Sequence, residues 1–339
     1  MNAWRATKRV WGFCYEPIAD RVSWHLSRRH FRSDYVKQRW EGSSPAKPSA
    51  KIAILVHFST NGCFAGYFLY LLRALEAAGF STVIVSNAPR IDPDSLQTVL
   101  PFCARVLHRD NIGYDFGAWR DGIMATAEIA EAEQLLLVND SIFGPLQNLA
   151  EILQRCDFGK ADIWGMTDSF GGKYHLQSYF VLLGAKALKS KAFAEFWRNL
   201  RYVASKRVVI YKYEIGFSQA MLKGALSLRA LFPYRDLTKA VLDCALAGPA
   251  AGTHPLRDEY FERLFKSINA GHPLNPTHYF WEYLIADLQF PFLKRELVEK
   301  NPVLVPLLSG WRATIEQSSD YPVDLIEGYL QLAAKGVVF

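Results

Sequence analysis

Two short segments concentrate the residues able to do chemistry. The first is Arg109-Asp110-Asn111-Ile112-Gly113-Tyr114-Asp115. The Arg109 guanidinium suits a phosphate, and Asn111 and Asp115 suit the polar groups of a sugar nucleotide. Gly113 lets the backbone turn and approach a ligand closely. The second is the apolar run Leu135 to Val138, which delivers Asn139-Asp140-Ser141 at its tip. A carboxylate there suits Mg²⁺ or Mn²⁺ shared with a diphosphate. Asp168 follows another apolar run, and Glu214 follows the aromatic segment Val208 to Tyr213. Either carboxylate can act as general base toward a hydroxyl. His175 and His278 are candidate ligands or phosphate contacts, and Trp281 can stack on a sugar face. Each has a plain structural alternative: a turn Asp, a helix-capping Glu, a hydrogen-bonded His, a core aromatic.

The elements that must position these residues alternate from residue 51 onward. Strands are expected at 51–58, 81–86, 104–108 and 134–138. Helices are expected at 65–78, 92–100 and 118–132, with Asp92 as N-cap and Pro93 at the first helical position. Short apolar strands spaced by helices predict a parallel α/β sheet, and ligands of such sheets bind at the carboxyl ends of strands. Beyond 160 the pattern is mixed, with strands expected at 162–166, 178–183 and 208–213. From 255 it is mostly helical, with breaks at Pro276, Pro291 and Pro302. The first strand lacks the three-glycine dinucleotide fingerprint, and no Walker motif is present.

The chain has 339 residues and a net charge of +6. Residues 1–50 hold ten Lys/Arg against four acids, and the rest balances 29 against 29. That N-terminal stretch also carries Trp4, Trp11, Trp24 and Trp40. Basic residues interleaved with Trp suit an anionic membrane surface, and equally suit packing on the main domain. No nucleic-acid-binding motif accompanies them, so no nucleic acid partner is expected. The five cysteines form no CxxC pair, which argues against a disulfide framework or a thiolate zinc site. The first residues lack the apolar core of a signal peptide, and the run Cys63 to Leu72 is too short to span a bilayer. A cytoplasmic protein, peripheral at the inner face of the cell membrane, is the expectation. Domains are expected at 1–50 (basic aromatic extension and linker), 51–250 and 251–339 (helical, packing on the second).

The order of Asn111–Trp119, Val138–Leu146, Asp162–Ser169, His175–Phe180 and Asn275–Trp281 resembles the rhamnan synthesis protein F family. The same segments are similar to inverting GT-A glycosyltransferases of the family 2 type, and the resemblance covers roughly residues 51–310. It implies a GT-A-like nucleotide-sugar-binding sheet flanked by helices, with a helical C-terminal part and a basic N-terminal helical extension. It implies an inverting transferase, a rhamnosyltransferase, using dTDP-L-rhamnose or a similar donor on a glycan or lipid-linked glycan acceptor. The implied donor contacts are Arg109, Asn111, Gly113, Asp115 and Asn139. Asp140 and His278 are the implied metal ligands, and His175, Gln177 and Trp281 the acceptor contacts. Glu214 is the favoured base and Asp168 the second choice. The departures are that the Asp-x-Asp motif is reduced to Asn139-Asp140-Ser141 and that Ile215 stands at a usually acidic position. They leave a rival reading, a non-catalytic glycan-binding or scaffold protein retaining the fold. A nucleotide-sugar-modifying enzyme on another α/β fold is a further rival.

Overall fold

A computed structural model describes residues 35–44, 51–247 and 255–336, together with the isolated positions Val22, Trp24 and Ser27. The expectations for the rest of residues 1–34 and for 45–50 lie outside the described residues. No described helix is long and apolar enough to cross a membrane.

The main sheet is mixed. Its strands are β1 (Val36–Glu41), β2 (Lys51–His57), β3 (Phe80–Ser86), β4 (Arg105–Arg109), β5 (Gln134–Asn139), β7 (Ile163–Ser169), β8 (His175–Leu176), β9 (Phe180–Gly184) and β10 (Leu228–Phe232). They run in the order β1-β4-β3-β2-β5-β9-β7-β10, with β8 paired to β7. Strands β2 to β5 are parallel, as their helical crossovers require. Strand β9 is antiparallel to both β5 and β7, and β1 is antiparallel to β4. The sheet thus has the expected parallel first half and mixed second half. A separate two-stranded ribbon joins β6 (Ile142–Phe143) to β11 (Leu293–Lys294), pairing Lys294 with Ile142.

Burial on both faces explains the continuous apolar strands. In β2, Ala53 and Leu55 face one core while Ile52, Ile54 and Val56 face the other. In β5, Leu136 and Val138 split from Leu135 and Leu137 in the same way. The first core is closed by the helix Gly66–Ala77 and by the C-terminal helices, through residues such as Ile315, Ile326 and Tyr329. The second is closed by the helices Tyr114–Met124, Lys191–Asn199 and Ile215–Lys223. The helical C-terminal part thus packs on the sheet.

Three local expectations change. The helix placed at 118–132 begins at Tyr114 and ends at Met124, because Gly113 in the left-handed region starts it four residues earlier. The strand expected at 208–213 is helical: Lys206–Val209 and a π turn Ile210–Glu214 run straight into Ile215–Lys223. β-Branched and aromatic side chains favour strands only weakly, and tertiary packing overrides them. Here Val209, Tyr213, Phe217 and Met221 recur every four residues and bury one helical stripe in the second core. Thirdly, Val36–Glu41, expected within a helical extension, is an edge strand of the sheet. Trp24 lies against Arg201 and Lys212, with ring distances of 4.8 and 5.1 Å.

Candidate active site

The turn after β4 is built on a buried polar network. Arg109 Nε donates to Asp121 Oδ2 (2.7 Å), Nη1 to Asn87 Oδ1 (2.6 Å) and Nη2 to the Ile112 carbonyl (2.7 Å). The Tyr202 hydroxyl donates to the other Asp121 oxygen and accepts from Arg120 Nη1. Arg109 is thus a buried post for the turn, fully committed to protein partners. Its expected phosphate contact is corrected on that ground. Gly113 has φ +81°, and a Cβ there would stand 2.9 Å from the Tyr202 ring. The glycine is therefore required by the turn itself, as well as by any ligand. Asn111 is exposed at the rim, and Asp115 sits in the first turn of the following helix.

Strand β5 brings its tip to that helix. Asn139 Nδ2 donates to Asp115 Oδ2 (2.8 Å), and Asn139 Oδ1 accepts from both the amide and hydroxyl of Ser141. Asp140 Oδ2 accepts from Phe58 N (2.9 Å) and lies 3.6 Å from Arg295 Nη1. The ribbon β6–β11 carries Lys294 to the same place, where its Nζ donates to Ser141 Oγ (2.8 Å) and sits 4.3 Å above the Tyr179 ring. Glu214 reaches in from its helix, and its Oε1 accepts from Ser178 N (3.0 Å) and Ser178 Oγ (2.9 Å). Asp115, Glu214 and Lys294 are close enough to perturb one another's charge.

Burial dominates the electrostatics. It pushes the Asp115 carboxyl up to about 6, with the Asp140 charge adding to the rise. It pulls the Lys294 ammonium down to about 8, against the attraction of Glu214 and Asp115. It also lowers His278 to about 4, helped by the nearby Lys294 charge, so this imidazole is neutral at pH 7. His278 Nε2 is buried with no hydrogen-bond partner.

The other expected residues divide. Gln177 is buried: it donates to Asn275 Oδ1 and accepts from Thr167 Oγ1. His175 is buried, with Nδ1 2.8 Å from the Lys173 carbonyl oxygen. Trp281 is buried in the first core, which corrects the expectation that its ring stacks on a sugar. Asp168 and Thr167 leave β7 on opposite faces. Thr167 bonds Gln177 and Tyr179, whereas Asp168 accepts from Tyr234 N (2.6 Å) and lines a separate cavity of about 280 Å³ with Tyr174 and Arg229. Glu214 and Asp168 therefore do not share a site. Glu214 lies inside a continuous helical run, with φ −63° and ψ −59°. That removes both the strand-tip placement and the helix-capping alternative.

Asp140 is the carboxylate nearest to a metal-binding role, and it is already partnered. A guanidinium stands against Asp140, whose Oδ2 already accepts a backbone bond. Among the described residues no group of three or more His, Cys, Asp or Glu could hold a metal. Sequence reasoning missed Lys294, Arg295 and Ser178. Lys294 and Arg295 lie more than 150 residues from Asp140, and only the Pro291 break nearby hinted at a functional turn.

Residues 82–245 match the family described as Rhamnan synthesis protein F. Four of the five segments that carried the resemblance lie within the match, which contains the Asn111–Asp115 turn, Asn139–Ser141 and Glu214, whereas Asn275–Trp281 lies beyond it. Lys294 lies beyond it. Among curated proteins, the chain is 32% identical over 205 residues to "Uncharacterized protein y4gN" of Sinorhizobium fredii, covering 59% of this chain and 52% of that protein. The chain thus spans about half the length of that relative. It is 28% identical over 228 residues to "Virulence protein VirA" of Vibrio anguillarum, covering 65% of this chain and 70% of the relative. Among solved structures it is similar to a putative nucleotide-diphospho-sugar transferase from Desulfovibrio desulfuricans, at 12% identity and a TM-score of 0.36, over 66% of this chain and 96% of that one.

The Asp115 environment gives a pH signature. Its folded-state pKa lies above the ordinary 3.8, so between about pH 4 and pH 6 the native state holds a proton that the unfolded chain has released. This group's contribution to stability therefore falls as pH rises through that window. Asp115→Asn should remove the fall, gaining on the order of 2 kcal/mol relative to wild type at pH 7. Urea denaturation of both proteins at pH 4 and pH 7 checks it. An unchanged gap between them would show that Asp115 is not held in this way.

Proposed function

We propose that the chain is a glycosyltransferase that moves a sugar from a nucleotide-diphosphate donor to a surface glycan. The finer reading is L-rhamnose or another deoxysugar, transferred with inversion to a growing or lipid-linked polysaccharide. The observation that carries the proposal is the convergence of Asp115, Asn139, Glu214 and Lys294 near the tip of β5. Carboxylates facing a cation suit a reaction in which a hydroxyl loses a proton as a diphosphate departs.

The step is a single displacement. The acceptor hydroxyl attacks the anomeric carbon, forming a new C–O bond as the bond from that carbon to the phosphate oxygen breaks. The breaking bond's electron pair leaves on the nucleoside diphosphate, and Glu214 takes the hydroxyl proton. Asn139 and Ser141 hold Asp115 and Lys294 by hydrogen bonds, and the donor is read as lying between the two. Gln177, Asn275 and Thr277 form a hydrogen-bonded cluster, read here as the acceptor wall.

Incubation with dTDP-L-rhamnose and other nucleotide-diphospho-sugars, with and without glycan acceptors, tests the proposal by nucleoside diphosphate release. Acceptor-stimulated release supports it. Binding of glycan without turnover of any donor would favour the scaffold reading.

The basic, Trp-bearing N-terminal residues are read as a contact to anionic membrane, where lipid-linked acceptors lie. The chain should sediment with vesicles rich in anionic lipid at low salt and less so at high salt. Indifference to such vesicles would leave packing as the role of this segment.

A further inference from the structure

Asp140 is the retained carboxylate of a motif that elsewhere implies a divalent ion, yet its surroundings are already cationic. Arg295 pairs with it at 3.6 Å and is itself fixed by Tyr67 OH (2.7 Å) and Glu299 (3.4 Å). Arg295 is therefore a positioning residue that neutralises Asp140. Lys294, the adjacent residue, is differently placed. It has one hydroxyl partner and one ring beneath it, and it is partly exposed at the rim. His278 is 7% exposed, its Nε2 is unpartnered, and it feels the charges of Lys294, Glu296 and the exposed Lys206.

We propose that Lys294 receives the departing diphosphate, so that transfer needs no divalent ion. The inference rests on the nucleotide-sugar reading above and deepens it. As the anomeric C–O bond breaks, negative charge collects on the phosphate oxygen, and a fixed ammonium stabilises that charge where it develops. Ser141 and the Tyr179 ring hold Lys294 in place before the donor arrives. Arg295 keeps Asp140 from repelling the phosphates.

The test combines binding and turnover on the full chain. Nucleoside diphosphate is titrated calorimetrically into wild type, Lys294→Met and Lys294→Arg, in EDTA and in Mg²⁺ or Mn²⁺. Transfer is measured under the same conditions. Wild type is expected to bind and turn over equally well in EDTA and in metal. Lys294→Met should bind the diphosphate at least tenfold more weakly and lose about 100-fold in transfer. Lys294→Arg should recover part of both. The wild-type comparison needs no variant to fold. Loss of wild-type binding in EDTA, restored by metal, would overturn the inference. So would unchanged diphosphate affinity in a folded Lys294→Met, whatever its turnover. Failure of the nucleotide-sugar reading has a distinct signature: wild type then neither binds a nucleoside diphosphate nor turns over a donor, with or without metal.

Discussion

Glu214→Gln should lower the rate of sugar transfer by about 100-fold or more while leaving donor affinity nearly unchanged. The amide keeps an oxygen able to accept the Ser178 amide and hydroxyl bonds that now end on Oε1. The fold and the position of the side chain should therefore survive, and only the proton acceptor is lost. Asp168→Asn is the matched control. Its carboxylate bonds Tyr234 N and lines another cavity, so transfer should stay near wild type. The check is a comparison of kcat and donor KM for both variants. Normal turnover by Glu214→Gln, with collapse in Asp168→Asn, would move the base to the other cavity.

Asp121→Ala should cost about 3–5 kcal/mol of stability, the largest structural effect expected from a single truncation here. Its carboxylate is the buried counter-charge of Arg109, and both side chains are nearly inaccessible, at 2% and 0% exposure. Removing it leaves a guanidinium in the interior with its best partner gone and also frees the Tyr202 hydroxyl. Because Tyr202 backs Gly113 and Gly117, the turn bearing Asp115 should loosen with it. The exposed pair Lys37–Asp110 is the contrast, where Asp110→Ala should cost under about 1 kcal/mol. Urea midpoints at constant slope separate the two. A loss under about 1 kcal/mol in Asp121→Ala would mean that the network does not hold the turn.

Much of the first half of the fold is legible in the sequence because its signals are local. The strands β2 to β5 are apolar runs bounded by polar turns. The Asp92 cap is present, with its carboxylate accepting from Ser95 N. The second half is less legible because its determinants are tertiary. The run Val208 to Tyr213 reads as strand, and only a four-residue stripe against the second core makes it helix. The direction of β9 depends on the strands either side of it, which no local pattern encodes. The site follows the same division. Asp115 and Asn139 are found because each sits next to a strand end. Arg109 looks like a phosphate ligand until Asp121, a full helical stretch later, turns out to bury it. Lys294 is invisible because the two-residue ribbon that carries it to Ser141 has no sequence signature of its own.

The most direct measurement is a structure of the chain with an intact, non-transferable nucleotide-diphospho-sugar. The diphosphate is expected against Lys294, the sugar between Asp115 and Glu214, and the anomeric carbon open toward Gln177 and Asn275. A donor seated elsewhere, such as the groove of about 590 Å³ lined by Tyr70, Pro145 and Tyr321, would contradict it.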